Sequence, residues 1–205
     1  LSQWFIDVDM YRDEALQALK DVQWIPAGSD ARISDMVKSR PDWCLSRQRI
    51  WGVPIPSIKC SHCGRSILDP RVVRNVAAAV RKDGSNIWYS EPLETFLPGK
   101  IECPECGSTE FEKEYDILDV WFDSGVSHYA VLEQYDGLRW PADLYLEGYD
   151  QHRGWFQTSL LTAVPLRGRA PYNTVLSHGF VLDESGRAMS KSMGNVIDPS
   201  EVVAS

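Results

Sequence analysis

Residues 143–182 read DLYLEGYDQHRGWFQTSLLTAVPLRGRAPYNTVLSHGFVL. The run DLYLEG has strand character, a helix is expected from Gln151 to about Leu166, and TVLSHGFVL reads as a second strand after it. Upstream, ILDVWF reads as an earlier strand, with a helix near 127–135 between it and DLYLEG. Strands that alternate with helices predict an α/β fold with a parallel sheet and crossover helices.

Working outward, helical stretches are expected at about 10–21, with Ala15, Leu16 and Leu19 apolar, and at about 30–40. WCLSRQRIWGVPIP, from Trp43 to Pro56, carries two tryptophans, two arginines, a glycine and two prolines, the pattern of a bent connection leading into a strand edge. From about 59 to 114 the character changes: the stretch is bounded by Cys-x-x-Cys pairs and holds a helix opening at Asp69-Pro70, with Val72, Val73, Val76, Ala79 and Val80 on one side. It reads as an inserted module. A turn is expected at Asp183 to Gly186. The final DPSEVVAS reads as a helix start, with Asp198 as cap, Pro199 at the first position and Glu201 in the capping-box place. Because that helix stops after about one turn, the chain is expected to be a fragment of a longer protein.

The totals narrow the function. With 205 residues, 43% apolar and 11% aromatic, the chain can bury one core and a small satellite. It contains no apolar run near the roughly 18–20 residues of a membrane span and no secretory leader pattern, so a cytoplasmic protein without membrane contact is expected. A formal charge of -8 argues against a general nucleic-acid coat, which needs an excess of clustered Lys and Arg. Local contact stays open, because Arg32, Lys38, Arg40, Arg47 and Arg49 form a basic island; a solvated helix face is its plain alternative.

Cys60, Cys63, Cys103 and Cys106 form two Cys-x-x-Cys pairs, each followed by glycine, at Gly64 and Gly107. Four thiolates with no open position are the donor set of a structural zinc. Two disulfides are the alternative, disfavoured in a reducing compartment. His62 is read as a bystander and Cys44 as a core residue.

AMSKSMGN, Ala188 to Asn195, follows the second strand and a glycine turn. A short Ser/Lys/Gly loop past the carboxyl end of a parallel strand suits anions, since backbone N–H groups and an ammonium can converge on phosphate. A solvated turn is the alternative reading.

The segment resembles the Lys-Met-Ser-Lys-Ser signature of class I aminoacyl-tRNA synthetases. YLEGYDQHRGWF, DVWFDSG and WCLSRQRIWGVPIP resemble blocks of the isoleucyl branch in the same order, so the likeness runs from Trp43 to Pro199. It implies the C-terminal half of a Rossmann-like nucleotide-binding domain. Residues 1–58 would be a connection returning from an editing insertion, 59–114 a zinc-binding insertion, and 115–205 the half-domain with the signature loop. The implied activity is ligation of isoleucine to tRNA(Ile) through isoleucyl-adenylate, with ATP, magnesium accompanying ATP, and a monomeric parent.

Residue by residue, the resemblance assigns Lys191 to the ATP phosphates as the catalytic group, with Met189, Ser190 and Ser192 shaping the loop. An ammonium that tightens on the transition state is typically worth about 2.7–4 kcal/mol, by analogy with oxyanion-hole donors. Ala188 departs from the pattern, which has lysine there, so one cation is missing; Arg187 is adjacent. Glu147, Gly148, Asp150 and Gln151 would bind the aminoacyl-adenylate; Asp150 as a plain helix cap is the alternative. His178, Gly179 and Phe180 would face adenine, and Trp121 and Trp155 would line the amino-acid pocket, although a tryptophan is more often plain core. The chain has no His-Ile-Gly-His signature, so the isolated chain is expected to lack synthetase activity. A zinc-containing RNA-binding module without catalysis is the competing reading, and it gives no reason for AMSKSMGN to follow SHGF.

Overall fold

Ala142–Gly148 forms a strand that buries Ala142, Tyr145 and Gly148 and leaves the residues between them exposed. The computed structural model describes residues 2–204. In it this strand pairs in parallel with Tyr172–His178, which pairs in parallel with Gln23–Ile25 on its other side. The crossover between the first two is the helix Trp155–Arg167, buried from Phe156 to Val164. The helix is buried around its whole circumference, its polar Gln157, Thr158, Ser159 and Thr162 included, as befits a core element. Pro165 falls in its last turn, and Gly168, in the left-handed conformation, ends it.

These elements belong to a unit comprising residues 11–39 and 127–205. Its core joins Ala15, Leu19, Ile33 and Val37 from the helices Arg12–Ala18 and Asp30–Lys38 to Tyr145, Phe156, Leu160, Tyr172 and Val175. The two helices expected near 10–21 and 30–40 are therefore present, the first flanked by 3-10 turns at Asp9–Tyr11 and Leu19–Asp21.

The other unit comprises residues 1–10 and 40–126. Short antiparallel pairs join Phe5–Ile6 to Trp43–Cys44 and Ser46–Arg47 to Ile117–Leu118. Beyond them lies a three-stranded antiparallel sheet in the order Ser66–Ile67, Ile58–Cys60, Phe111–Lys113. The helix Pro70–Asp83 lays Val72 and Val76 against Trp88, Phe96, Ile101 and Ile58. Asp69 caps it by accepting the Arg71 N–H at 2.7 Å, as Asp-Pro predicts. Residues 1–58, which the resemblance treats as one connection, contribute to both units.

Three elements differ from expectation. ILDVWF is not one strand: Ile117–Leu118 is, and Asp119 then caps the helix Val120–Gly125 by accepting the Trp121 N–H at 3.3 Å. The helix near 127–135 is only Ser127–Ala130. The strand TVLSHGFVL stops at His178, because the neighbouring strand ends at Gly148 and the other runs into Pro26, which has no N–H to give a ladder. No helix among the described residues is long and apolar enough to cross a membrane.

Candidate active-site edge and metal cluster

At the carboxyl end of the parallel sheet, Glu147 lies opposite Ser177 and Gly148 opposite His178. Two groups of expected adenylate residues are thus side by side on adjacent strands. Gly148 leaves space that a side chain would fill, since a Cβ there would stand 2.5 Å from Asp150 Oδ1. Its close approach is to the acidic turn itself. Gly179, by contrast, faces open space. His178 is exposed and its Nδ1 lies 2.7 Å from the Gly179 carbonyl. Phe180 tilts against Tyr149, with ring centres 5.1 Å apart, and the Arg32 guanidinium lies over the other ring partner, 4.9 Å from the Tyr149 centre.

Asp150 does not cap the following helix. Gln151 does so, its Oε1 accepting the Trp155 N–H at 2.9 Å while its Nε2 donates to Asp150 Oδ2 at 3.0 Å. The carboxylates of Glu147 and Asp150 remain at the surface. Trp155 is held flat on Tyr145, with ring centres 3.9 Å apart, and its Nε1 donates to Ser127 Oγ at 3.0 Å. Trp121, on the helix Val120–Gly125, is 43% exposed.

The signature loop opens with Met189, whose sulfur accepts the Ile197 N–H at 3.4 Å. Ser190 and Ser192 place their hydroxyl oxygens 2.9 Å apart, and Lys191 begins a 3-10 turn that ends at Gly194 in the left-handed conformation. The Lys191 side chain is exposed. Arg187 does not substitute for the missing cation, since its Nε donates to Asp183 Oδ2 at 3.1 Å. Among the described residues no hydrogen bond or ion pair ties the 188–195 loop to the 147–151 turn.

Sequence reasoning missed several polar centres. Asp119, buried, accepts from Trp43 Nε1 and Arg47 Nη2, each at 2.9 Å. His128, buried, accepts from Trp140 Nε1 at 3.1 Å and lies 3.2 Å from Thr162 Oγ1. Burial lowers its pKa to about 4, so the ring is neutral at pH 7. Asn195 is a third such centre. Of the basic island, Arg40 lies over Trp43 and Arg47 pairs with Asp119, while Arg32, over Tyr149, Lys38, beside Asp35, and Arg49 are exposed. A cavity of 660 Å³ in the unit holding residues 40–126 is lined by Arg47, Arg49, Trp51, Tyr89 and Trp121 among others.

The four cysteines meet, with all ligand atoms within 4.8 Å of one another. Gly64 N–H donates to the Cys60 carbonyl and Gly107 N–H to the Cys103 carbonyl, each at 2.9 Å, so two matching knuckles face each other. Cys60 and Cys106 sulfurs are 3.6 Å apart, as are those of Cys63 and Cys103. A disulfide needs about 2.05 Å, whereas sulfurs around a tetrahedral zinc lie about 3.8 Å apart, given Zn–S near 2.3 Å. The cluster therefore fits a metal ion. The N–H of Cys63 draws the Cys60 pKa down to about 6. Against the lowering pull of the Ser108 N–H, burial and the neighbouring sulfurs push Cys106 up to about 12. Four thiolates cannot share this space without a cation among them.

The family model for class I tRNA synthetases (I, L, M and V) matches residues 1–205. Isoleucine–tRNA ligase of Caldanaerobacter subterraneus subsp. tengcongensis is 58% identical over 201 residues, 98% of this chain and 22% of that protein. The Moorella thermoacetica protein of the same name is 57% identical with the same coverage. A solved ternary complex, Agrobacterium radiobacter K84 agnB2 LeuRS-tRNA-LeuAMS, is similar over 79% of this chain and 22% of that chain, at 28% identity and a TM-score of 0.49. The chain thus spans 22% of the length of the curated relatives it matches. Knuckles, signature loop and parallel-sheet edge lie within the matched residues, and the chain belongs to the class I tRNA synthetases of the I, L, M and V group.

Proposed function

We propose that this chain is part of the catalytic region of an isoleucine–tRNA ligase, which joins isoleucine to tRNA(Ile) through isoleucyl-adenylate. The observation that carries this is the pairing of Gly148 with His178 at the carboxyl end of adjacent parallel strands, in a chain 58% identical to an Isoleucine–tRNA ligase. Ligands of α/β sheets bind outside the carboxyl ends of the strands. Residues 115–205 then form the C-terminal half of a Rossmann-like domain, 1–58 the return from an editing insertion and 59–114 a zinc-binding insertion, in a cytoplasmic, monomeric parent.

In this reading Lys191 meets the phosphates of magnesium-bound ATP, with Met189, Ser190 and Ser192 holding the loop around it. Glu147 and Asp150 accept from the ammonium and ribose hydroxyls of the adenylate, Gly148 keeps room for them, and Gln151 fixes the helix start. His178 and Gly179 face adenine. Trp155, locked on Tyr145, supplies a rigid aromatic wall toward the isoleucine side chain, and Trp121 is assigned to the amino acid by the resemblance alone. Attack of the carboxylate on the α-phosphorus builds charge on phosphoryl oxygens, which a positioned ammonium stabilises. Cys60, Cys63, Cys103 and Cys106 would hold zinc, which supplies cross-linking of the two knuckles and no open coordination position.

An RNA-binding module without catalysis gives no reason for AMSKSMGN to follow the strand that ends at His178. Calorimetric titration with non-hydrolysable isoleucyl-, leucyl- and valyl-adenylate analogues tests the proposal. Isoleucyl-adenylate should bind more tightly than leucyl-adenylate, and Lys191→Ala should weaken it. Equal binding of all three, or none, would count against it.

A further inference from the structure

Between Val181 and Ser200 the chain is exposed except at Asp183, Ser190 and Asn195, which are half-buried. The small interior of this segment is therefore polar. Asp183 closes its turn by accepting the N–H groups of Ser185 and Arg187 on Oδ1, both at 2.9 Å. Its Oδ2 accepts from Arg187 Nε and, at 2.8 Å, from Asn195 Nδ2. The other end of the same amide, Asn195 Oδ1, accepts the Ser190 N–H at 2.8 Å, while Nδ2 also lies 3.3 Å from the Ala188 carbonyl. One side chain thus ties the exit of the strand region to the residue before Lys191.

We propose that Asn195, anchored by Asp183, is the positioning residue of this loop: its amide sets where the Lys191 ammonium is presented. The inference rests on the reading of Lys191 as a phosphate-binding group. An ammonium on a long side chain gains most when the backbone beneath it is fixed before the substrate arrives. The amide is uniquely suited, because it must accept from Ser190 and donate to Asp183 at once. Alanine would leave the Ser190 N–H without a partner. Aspartate could still accept from Ser190 but would set two carboxylates against each other.

The test compares the wild-type chain with Asn195→Ala, Asn195→Asp, the exchange Asp183→Asn with Asn195→Asp, and Lys191→Ala. Amide hydrogen exchange is read by NMR, and affinities for Mg-ATP and AMP by calorimetry. Asn195→Ala should speed exchange at Ser190 and weaken ATP about tenfold, the loss of one hydrogen bond, with AMP, which brings one phosphate instead of three, weakened less. The exchanged pair should recover most of both, since it restores one donor and one acceptor at the junction. Unchanged Ser190 exchange in Asn195→Ala overturns the proposal. So does ATP affinity lost in Lys191→Ala but retained in Asn195→Ala and Asn195→Asp, while the phosphate reading survives. If Lys191→Ala binds ATP as the wild type does, the phosphate reading itself fails and the positioning role falls with it.

Discussion

Gly148 and His178 stand opposite each other in parallel register, where two strands end together. Everything assigned to the adenylate hangs from this pair: the acidic turn continues from Gly148, and Gly179, Phe180 and the signature loop continue from His178.

Gly148→Ala separates binding from folding. The new Cβ would meet Asp150 Oδ1 at 2.5 Å, and because that carboxylate is exposed it can swing away, so stability should change by no more than about 1 kcal/mol. Adenylate-analogue affinity should fall about tenfold as the Asp150 carboxylate leaves its place. Thermal melting and calorimetry on the same sample check the split.

Asp119→Ala should destabilise the unit containing residues 40–126 by about 2 kcal/mol, since it strands the Trp43 Nε1–H, leaves the Arg47 guanidinium only its Cys44 and Ser46 carbonyls, and removes a helix cap. Asp119→Asn should cost less, because an amide oxygen can still accept. Denaturant midpoints followed through tryptophan fluorescence measure both.

His128 makes stability depend on pH. Its folded pKa, about 4, lies below the ordinary 6.5, so the unfolded chain takes up the proton first as pH falls. Its contribution is fully present above pH 6.5 and is lost toward pH 4, at no more than about 1.4 kcal/mol per pH unit. Urea midpoints at pH 7 and pH 5 should differ less in His128→Gln than in the wild type.

Cys103→Ser should abolish binding of zinc, measured by elemental analysis, and loosen residues 58–113, because the binding energy of a structural zinc is folding energy. Amide exchange should rise at Ile58 and Phe111 and stay unchanged at Leu160 and Val175. Retention of zinc with unchanged exchange would remove the cluster's structural role.

What the sequence disclosed was whatever chemistry lies close together along it. Asp69-Pro70 announced its helix, the two Cys-x-x-Cys-Gly turns announced their knuckles, and strands alternating with helices after Tyr115 announced a parallel sheet. Asp119 was read as mid-strand because its partners Trp43 and Arg47 lie 76 and 72 residues away. His128 was likewise silent, since Thr162 is 34 residues distant. Asn195 was visible as part of a motif, but its two-sided role depends on Asp183 folding back across the turn. The choice of Gln151 over Asp150 as helix cap depends on helical turn geometry one residue finer than the pattern resolves.

Titration of the isotope-labelled chain with a non-hydrolysable isoleucyl-adenylate, followed amide by amide, tests most directly whether one ligand is met by the whole sheet edge. Resonances of 147–151, 178–180 and 189–192 should shift together along a single binding curve. Shifts confined to one of these segments, or following different affinities, would contradict a shared site.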